Sequence, residues 1–75
     1  MDIHNINDFD KVITSVVHEM ESKHNCWIWI LSDESNWYIN VCYIEDQRIE
    51  QEVKMCPIGS KKYEMARAIR KHFSK

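Results

Sequence analysis

The sequence predicts an α+β domain of element order α-β-β-β-α, a three-stranded antiparallel sheet with both helices on one face. Three observations carry this reading. Apolar residues stand at helical spacing near the start, three short β-rich runs fill the middle, and a second helical pattern follows the only Pro and the only Gly. The 75 residues suffice for one domain, 1–75, with one core. Hydrophobic residues make up 44% of the chain and include three Trp, three Tyr and two Phe, so material for that core is plentiful.

Phe9, Val12, Ile13, Val16, Val17 and Met20 share one face of the first helix. Asn7 or Asp8 is the expected N-cap, with acidic residues in the first turn. Lys23 and His24 suit the last turn, and Asn25 can close it. "CWIWIL", 26–31, predicts a strand, "SDESN" a turn and "WYINVCYI" a second strand. "EDQ" then connects to a third, "RIEQEVKMC". In that third strand Ile49, Val53 and Met55 alternate with Arg48, Glu50, Glu52 and Lys54, which predicts one dry face and one wet one. "PIGS" ends the sheet. Ser60 is the expected N-cap of a final helix from Lys61 to Phe73 with Met65, Ala66, Ile69, His72 and Phe73 on its apolar side.

Cys26, Cys42 and Cys56 are odd in number and form no C-x-x-C pair, so a disulfide framework is not expected and a reducing cytoplasm is. The opening "MDIHNINDFDK" has no signal-peptide pattern, and no apolar run approaches the length of a membrane span. The expectation is a soluble, unprocessed cytoplasmic chain without a membrane partner. The histidines, cysteines and carboxylates form no local catalytic or zinc signature, and one glycine cannot build a nucleotide cradle. Neither an enzyme nor a cofactor nor a metal is expected. The cysteines read as small strand residues, His72 as a cap on the core side of the last helix, and His4, His18 and His24 as solvated.

Charge divides the chain unevenly. Residues 1–52 hold three basic against eleven acidic side chains, a balance of −8; residues 53–75 hold seven against one, a balance of +6. Such a split points to an anionic partner or to two parts of one molecule attracting each other. Ser60, Lys61 and Lys62 stand at the start of the last helix, where unpaired amides and the helix dipole favour an anion. Arg67, Arg70 and Lys71 extend a positive strip along it, so RNA phosphates are the expected partner of these six residues. Lys71 and Lys75 are equally explained as complements of the dipole at the helix C-terminus; Lys61 and Lys62 are not.

The aromatic strands offer a second surface. With Ile28, Ile30, Ile39, Val41, Ile49 and Val53 under the helices, the other face shows Trp27, Trp29, Leu31, Tyr38 and Ile44 beside Arg48, Lys54, Glu50 and Glu52. Trp27, Trp29, Tyr38 and Arg48 then form the centre of a protein interface or homodimer, or a base-stacking platform; the two acids favour a protein. With the faces inverted, the Trp residues are core.

In element order, and in "GSKK" at residues 59–62, the chain resembles a double-stranded RNA-binding domain, whose last helix opens with a Ser-Lys-Lys-x-x-Lys type motif that grips phosphates across a major groove. Ala68, Ile69 and Phe73 stand at family-like apolar positions. Glu64 and Met65 depart from the motif, and "SDESN" is acidic where that family has a Gly-Pro-x-His loop. The resemblance therefore implies backbone gripping by the last helix without reading of A-form shape. In size and composition the chain also resembles phage-encoded proteins that block host defences. That likeness implies a protein-binding inhibitor or adaptor acting through its aromatic or acidic surface.

Overall fold

The computed structural model describes residues 1–74. Its elements run β1 (Asp2–His4), α1 (Lys11–His24), β2 (Cys26–Ser32), β3 (Asn36–Tyr43), β4 (Ile49–Pro57) and α2 (Lys62–Phe73), with a 3-10 turn at Ile6–Asp8. The α+β class and the two helices agree with the sequence reading. The sheet has four antiparallel strands in the order β1-β2-β3-β4, one more than expected. The added strand pairs Asp2 with Ser32, Ile3 with Leu31 and His4 with Ile30. Three residues show no periodicity of their own, and only the waiting edge of β2 makes them a strand.

Helix α1 starts later than expected because Asp10, and neither Asn7 nor Asp8, is its N-cap: Asp10 Oδ1 accepts the Val12 amide at 2.8 Å. No acidic residue occupies its first turn. Asn25 closes the helix as expected, in the left-handed conformation at φ 51° with its amide donating to the Glu21 carbonyl. Helix α2 begins behind Lys61, which caps it without a side-chain bond. Ser60 is not the cap; its hydroxyl turns back to the Pro57 carbonyl at 2.6 Å. Gly59, at φ 91°, lets the chain turn there.

Both helices lie on one face. Ile13, Val16, Val17 and Met20 of α1 and Met65, Ala66 and Ile69 of α2 pack on Ile28, Ile30, Ile39 and Val41 of the sheet. Phe9 closes one end of this core against His4 and Trp37, with ring centroids 5.9 and 5.6 Å away. His4 is half-buried and its Nε2 lies 2.6 Å from Ser32 Oγ, and His24 stacks on Phe73 at 4.9 Å, so neither is simply solvated; His18 is exposed.

Strand β4 departs most from simple alternation. Val53 faces Ile39 but Glu50 faces Val41, so Gln51 and Glu52 together oppose Asn40. A second irregularity leaves Met55 unpaired between Lys54 and Cys56. At the first bulge Glu52 has φ 51°, and its amide donates to Asn40 Oδ1 at 2.8 Å. One extra residue reverses the faces of everything before it. Ile49, expected under the helices, is 59% exposed on the open face beside Cys42, and Glu50, expected outside, turns in beneath α2.

The core gives a direct stability prediction. Ile39 is wholly buried at the centre of the sheet, so Ile39→Ala should cost ~2–5 kcal/mol. A thermal melt should show a fall in Tm of at least roughly 10 °C.

Candidate functional site

Strand pleating builds the first surface. Trp27 and Trp29 alternate with core residues Ile28 and Ile30 and therefore point away from the helices. Trp27 lies beside Cys42, which in turn lies beside Ile49; Trp29 lies beside Asn40. A further row crosses the sheet as Ile3, Leu31, Tyr38 and Lys54. Trp27 is 56% exposed, Trp29 46% and Ile3 69%. Leu31 is on this face as expected, yet its strand neighbours bury it.

The rim at one end of this face is held rigidly. Asp33 Oδ1 accepts the amides of Ser35 and Asn36 at 2.8 and 2.7 Å, and the Tyr38 hydroxyl donates to Asp33 Oδ2 at 2.8 Å. The Asn36 amide, then the Ser35 amide and Tyr38 hydroxyl, hold the Asp33 carboxyl below its usual pKa. The same bond to Asp33 raises the Tyr38 phenol. Arg48 lies elsewhere than expected. It sits opposite Tyr43 on the helix side, its guanidinium 4.3 Å above the Tyr43 ring and 3.9 Å from Asp46. Arg48 is thus separated from the Trp27–Trp29 surface by the sheet itself.

The basic helix is partly spoken for. Lys62 Nζ lies 3.3 Å from Asp10 Oδ2, and Arg70 makes a bidentate pair with Glu19 at 2.9 and 3.0 Å. The Val12 amide and then Lys62 hold Asp10 below the ordinary carboxylate range. With Ser60 bonded to Pro57, only Lys61 of the expected N-terminal trio extends without a partner. Lys61, Arg67 and Lys71 are exposed and make no ion pair among the described residues.

A third feature had no signature in the sequence. His72 Nε2 lies 2.9 Å from Glu50 Oε1, and the Tyr43 hydroxyl donates to the same oxygen at 3.4 Å. With His24, Arg48 and Phe73 they line a cavity of about 340 Å³ where the C-terminal ends of both helices meet the sheet. Burial pushes the Glu50 carboxyl up, but the hydrogen bond and charge of His72, with smaller help from Arg48 and Tyr43, outweigh it and leave its pKa lowered. Burial, then the charge of Glu50, raises the Tyr43 phenol. Only the β4 bulge brings Glu50 to His72, and a bulge of this kind leaves no mark in residue alternation.

Two of the three thiols are buried in the core. Cys26 is pushed up to about 11, mainly by burial, and burial raises Cys56 as well. All three cysteines are free. Among the described residues no cluster of His, Cys, Asp or Glu is arranged to hold a metal ion, and no helix is long and apolar enough to cross a membrane. No family model, curated protein or solved structure matches the chain.

The His72–Glu50 contact predicts a pH signature. A carboxyl whose folded pKa is depressed contributes stability above its unfolded pKa, about 4.3, and loses it as pH falls through the lower folded value. Glu50→Gln should lower Tm at pH 7, and the gap to the parent should close below about pH 4. Paired thermal melts at neutral and acid pH measure this directly; a gap that persists unchanged in acid would remove the charge from the explanation.

Proposed function

We propose that this chain is a small protein-binding domain, an inhibitor or adaptor whose contact surface is the open sheet face. The observation that carries the reading is the exposure of Trp27 and Trp29 on the four-stranded open face that also exposes Ile3 and Ile49. A contiguous apolar surface of this kind is costly to leave in water, and tryptophan is enriched among residues that dominate binding energy. The turns at the two ends of the sheet carry Asp33, Glu34, Glu45 and Asp46, and Glu52 lies on β4. Lys54 is the base in the row that crosses the face beside Tyr38.

That distribution favours a partner with an apolar patch inside a basic surface, as on an enzyme that handles nucleic acid. Blocking such an enzyme, as counter-defence proteins do, is the action we infer. Free thiols suit a reducing cytoplasm as the compartment.

A second reading is RNA-backbone binding through α2, and Lys61, Arg67 and Lys71, exposed and without an ion pair among the described residues, favour it. It ranks below the first because Lys62 and Arg70 already neutralise Asp10 and Glu19. Three free cations offer a short phosphate track and a correspondingly shallow dependence on salt.

Affinity purification after nuclease treatment discriminates the readings. The first expects a stoichiometric protein that survives nuclease, is lost with Trp27→Ala/Trp29→Ala and persists with Lys61→Glu/Arg67→Glu/Lys71→Glu. Co-purifying RNA that is lost with the charge reversals and indifferent to the Trp changes would overturn it in favour of the second. Tryptophan emission should also shift to the blue when the partner covers the face.

A further inference from the structure

We propose a second docking site, which adjoins the open face at Lys54: a groove between β4 and α2 that receives an extended acidic peptide from a protein partner. β4 is the outer strand of the sheet, with β3 on one side and no strand on the other among the described residues. Helix α2 packs beside it. The space between them, about 320 Å³, is lined by Val53 and Met55 of β4, Ala68 of α2, and the polar side chains Lys54, Lys71 and His72.

The chemistry of the lining selects the occupant. Val53, Met55 and Ala68 give an aliphatic floor suited to apolar side chains. Lys54 belongs to the open-face row of β4 and Lys71 to α2, so two lysines line the groove from different elements. Neither makes an ion pair among the described residues. Of the α2 cations that make no ion pair among the described residues, Lys71 lines this groove. Free peptide groups of an outer strand accept an extended chain. Between the bulges at Gln51–Glu52 and at Met55, regular pairing with β3 covers only Val53 and Lys54. Backbone pairing is thus short, and the lysines and the aliphatic floor must supply most of the specificity.

Glu52 directly precedes the lining residue Val53 on the strand, and Glu64 stands about one helical turn before Ala68. A polynucleotide carries a negative charge at every residue and must place some of it against these carboxylates. A peptide that alternates acidic with apolar residues can meet the lysines with one set of side chains and the floor with the other. The one ring in the lining is the His72 imidazole, which Glu50 holds at 2.9 Å; the lining has no Trp, Tyr or Phe on which a base could stack.

Fluorescence anisotropy with a short labelled peptide alternating Glu and Val tests the site on the whole chain. A Lys/Val peptide and a labelled single-stranded oligouridylate serve as competing probes at the same salt. The expected result is binding of the Glu/Val peptide alone or most tightly. Affinity should fall roughly tenfold for Lys54→Glu/Lys71→Glu, should fall less for Lys54→Gln/Lys71→Gln, and should be unchanged for Trp27→Ala. Circular dichroism of each variant verifies the fold, and amide shifts at residues 53–55 and 68–72 locate the peptide. Absence of Glu/Val binding, binding that survives both lysine reversals in a folded variant, or tighter binding of the oligouridylate would each overturn the proposal. Trp27 lies outside the groove and Lys71 outside the open face, so Trp27→Ala and Lys71→Glu, each measured singly, separate this outcome from the fate of the open-face reading.

Discussion

Two helices can cover one face of a small sheet and no more, and that one-sided packing governs the rest of this domain. Ile39, Val41 and Ile69 are completely buried between the layers, and their removal from water is the dominant stabilising term available to so short a chain. A strand whose alternate residues are Ile28 and Ile30 must then send Trp27 and Trp29 to the other side. Exposure of the tryptophans is thus a geometric consequence of where the helices lie. What needs a functional explanation is their identity, since Thr or Lys at these positions would be cheaper to solvate.

Charge is organised by the same layering. The acidic first part and the basic last part of the chain supply the two helices, which pack side by side on the sheet. Asp10 meets Lys62 near their starts and Glu19 meets Arg70 further along. Exposed ion pairs of this kind contribute little stability, but the bidentate Arg70 contact restricts how one helix can slide along the other. Two of the seven basic side chains in residues 53–75 are thus neutralised inside the domain, while Lys54, Lys61, Arg67 and Lys71 make no ion pair among the described residues.

The bulges of β4 link fold to surface chemistry. A non-glycine residue at positive φ costs roughly 1–2 kcal/mol, and Glu52 occupies that conformation with its amide held by Asn40. In return, Ile49 joins the exposed apolar face and Glu50 reaches His72 under the helices. A regular strand would have buried Ile49 and left His72 facing aliphatic carbon. The irregularity thus enlarges one candidate surface and completes a polar anchor between α2 and the sheet.

Local pattern was enough to establish the helices, the three longer strands and the αL cap at Asn25, because helical and strand periodicities and Gly/Pro punctuation act over a few residues. It was also enough to name Trp27 and Trp29 as one face and Lys61 to Lys71 as a basic helix. The tertiary structure alone decided the rest. β1 exists only against β2, Asp10 displaces Asn7 and Asp8 as the helix cap, and Ser60 spends its hydroxyl on Pro57. Lys62 and Arg70 lose their freedom to carboxylates about fifty positions earlier in the chain. Whether an edge strand, a cap or a cation is used depends on groups brought close by folding, and a one-residue bulge reverses the faces that alternation assigns. Residue types fixed which chemistries were present; only packing determined which of them remained free to meet a partner.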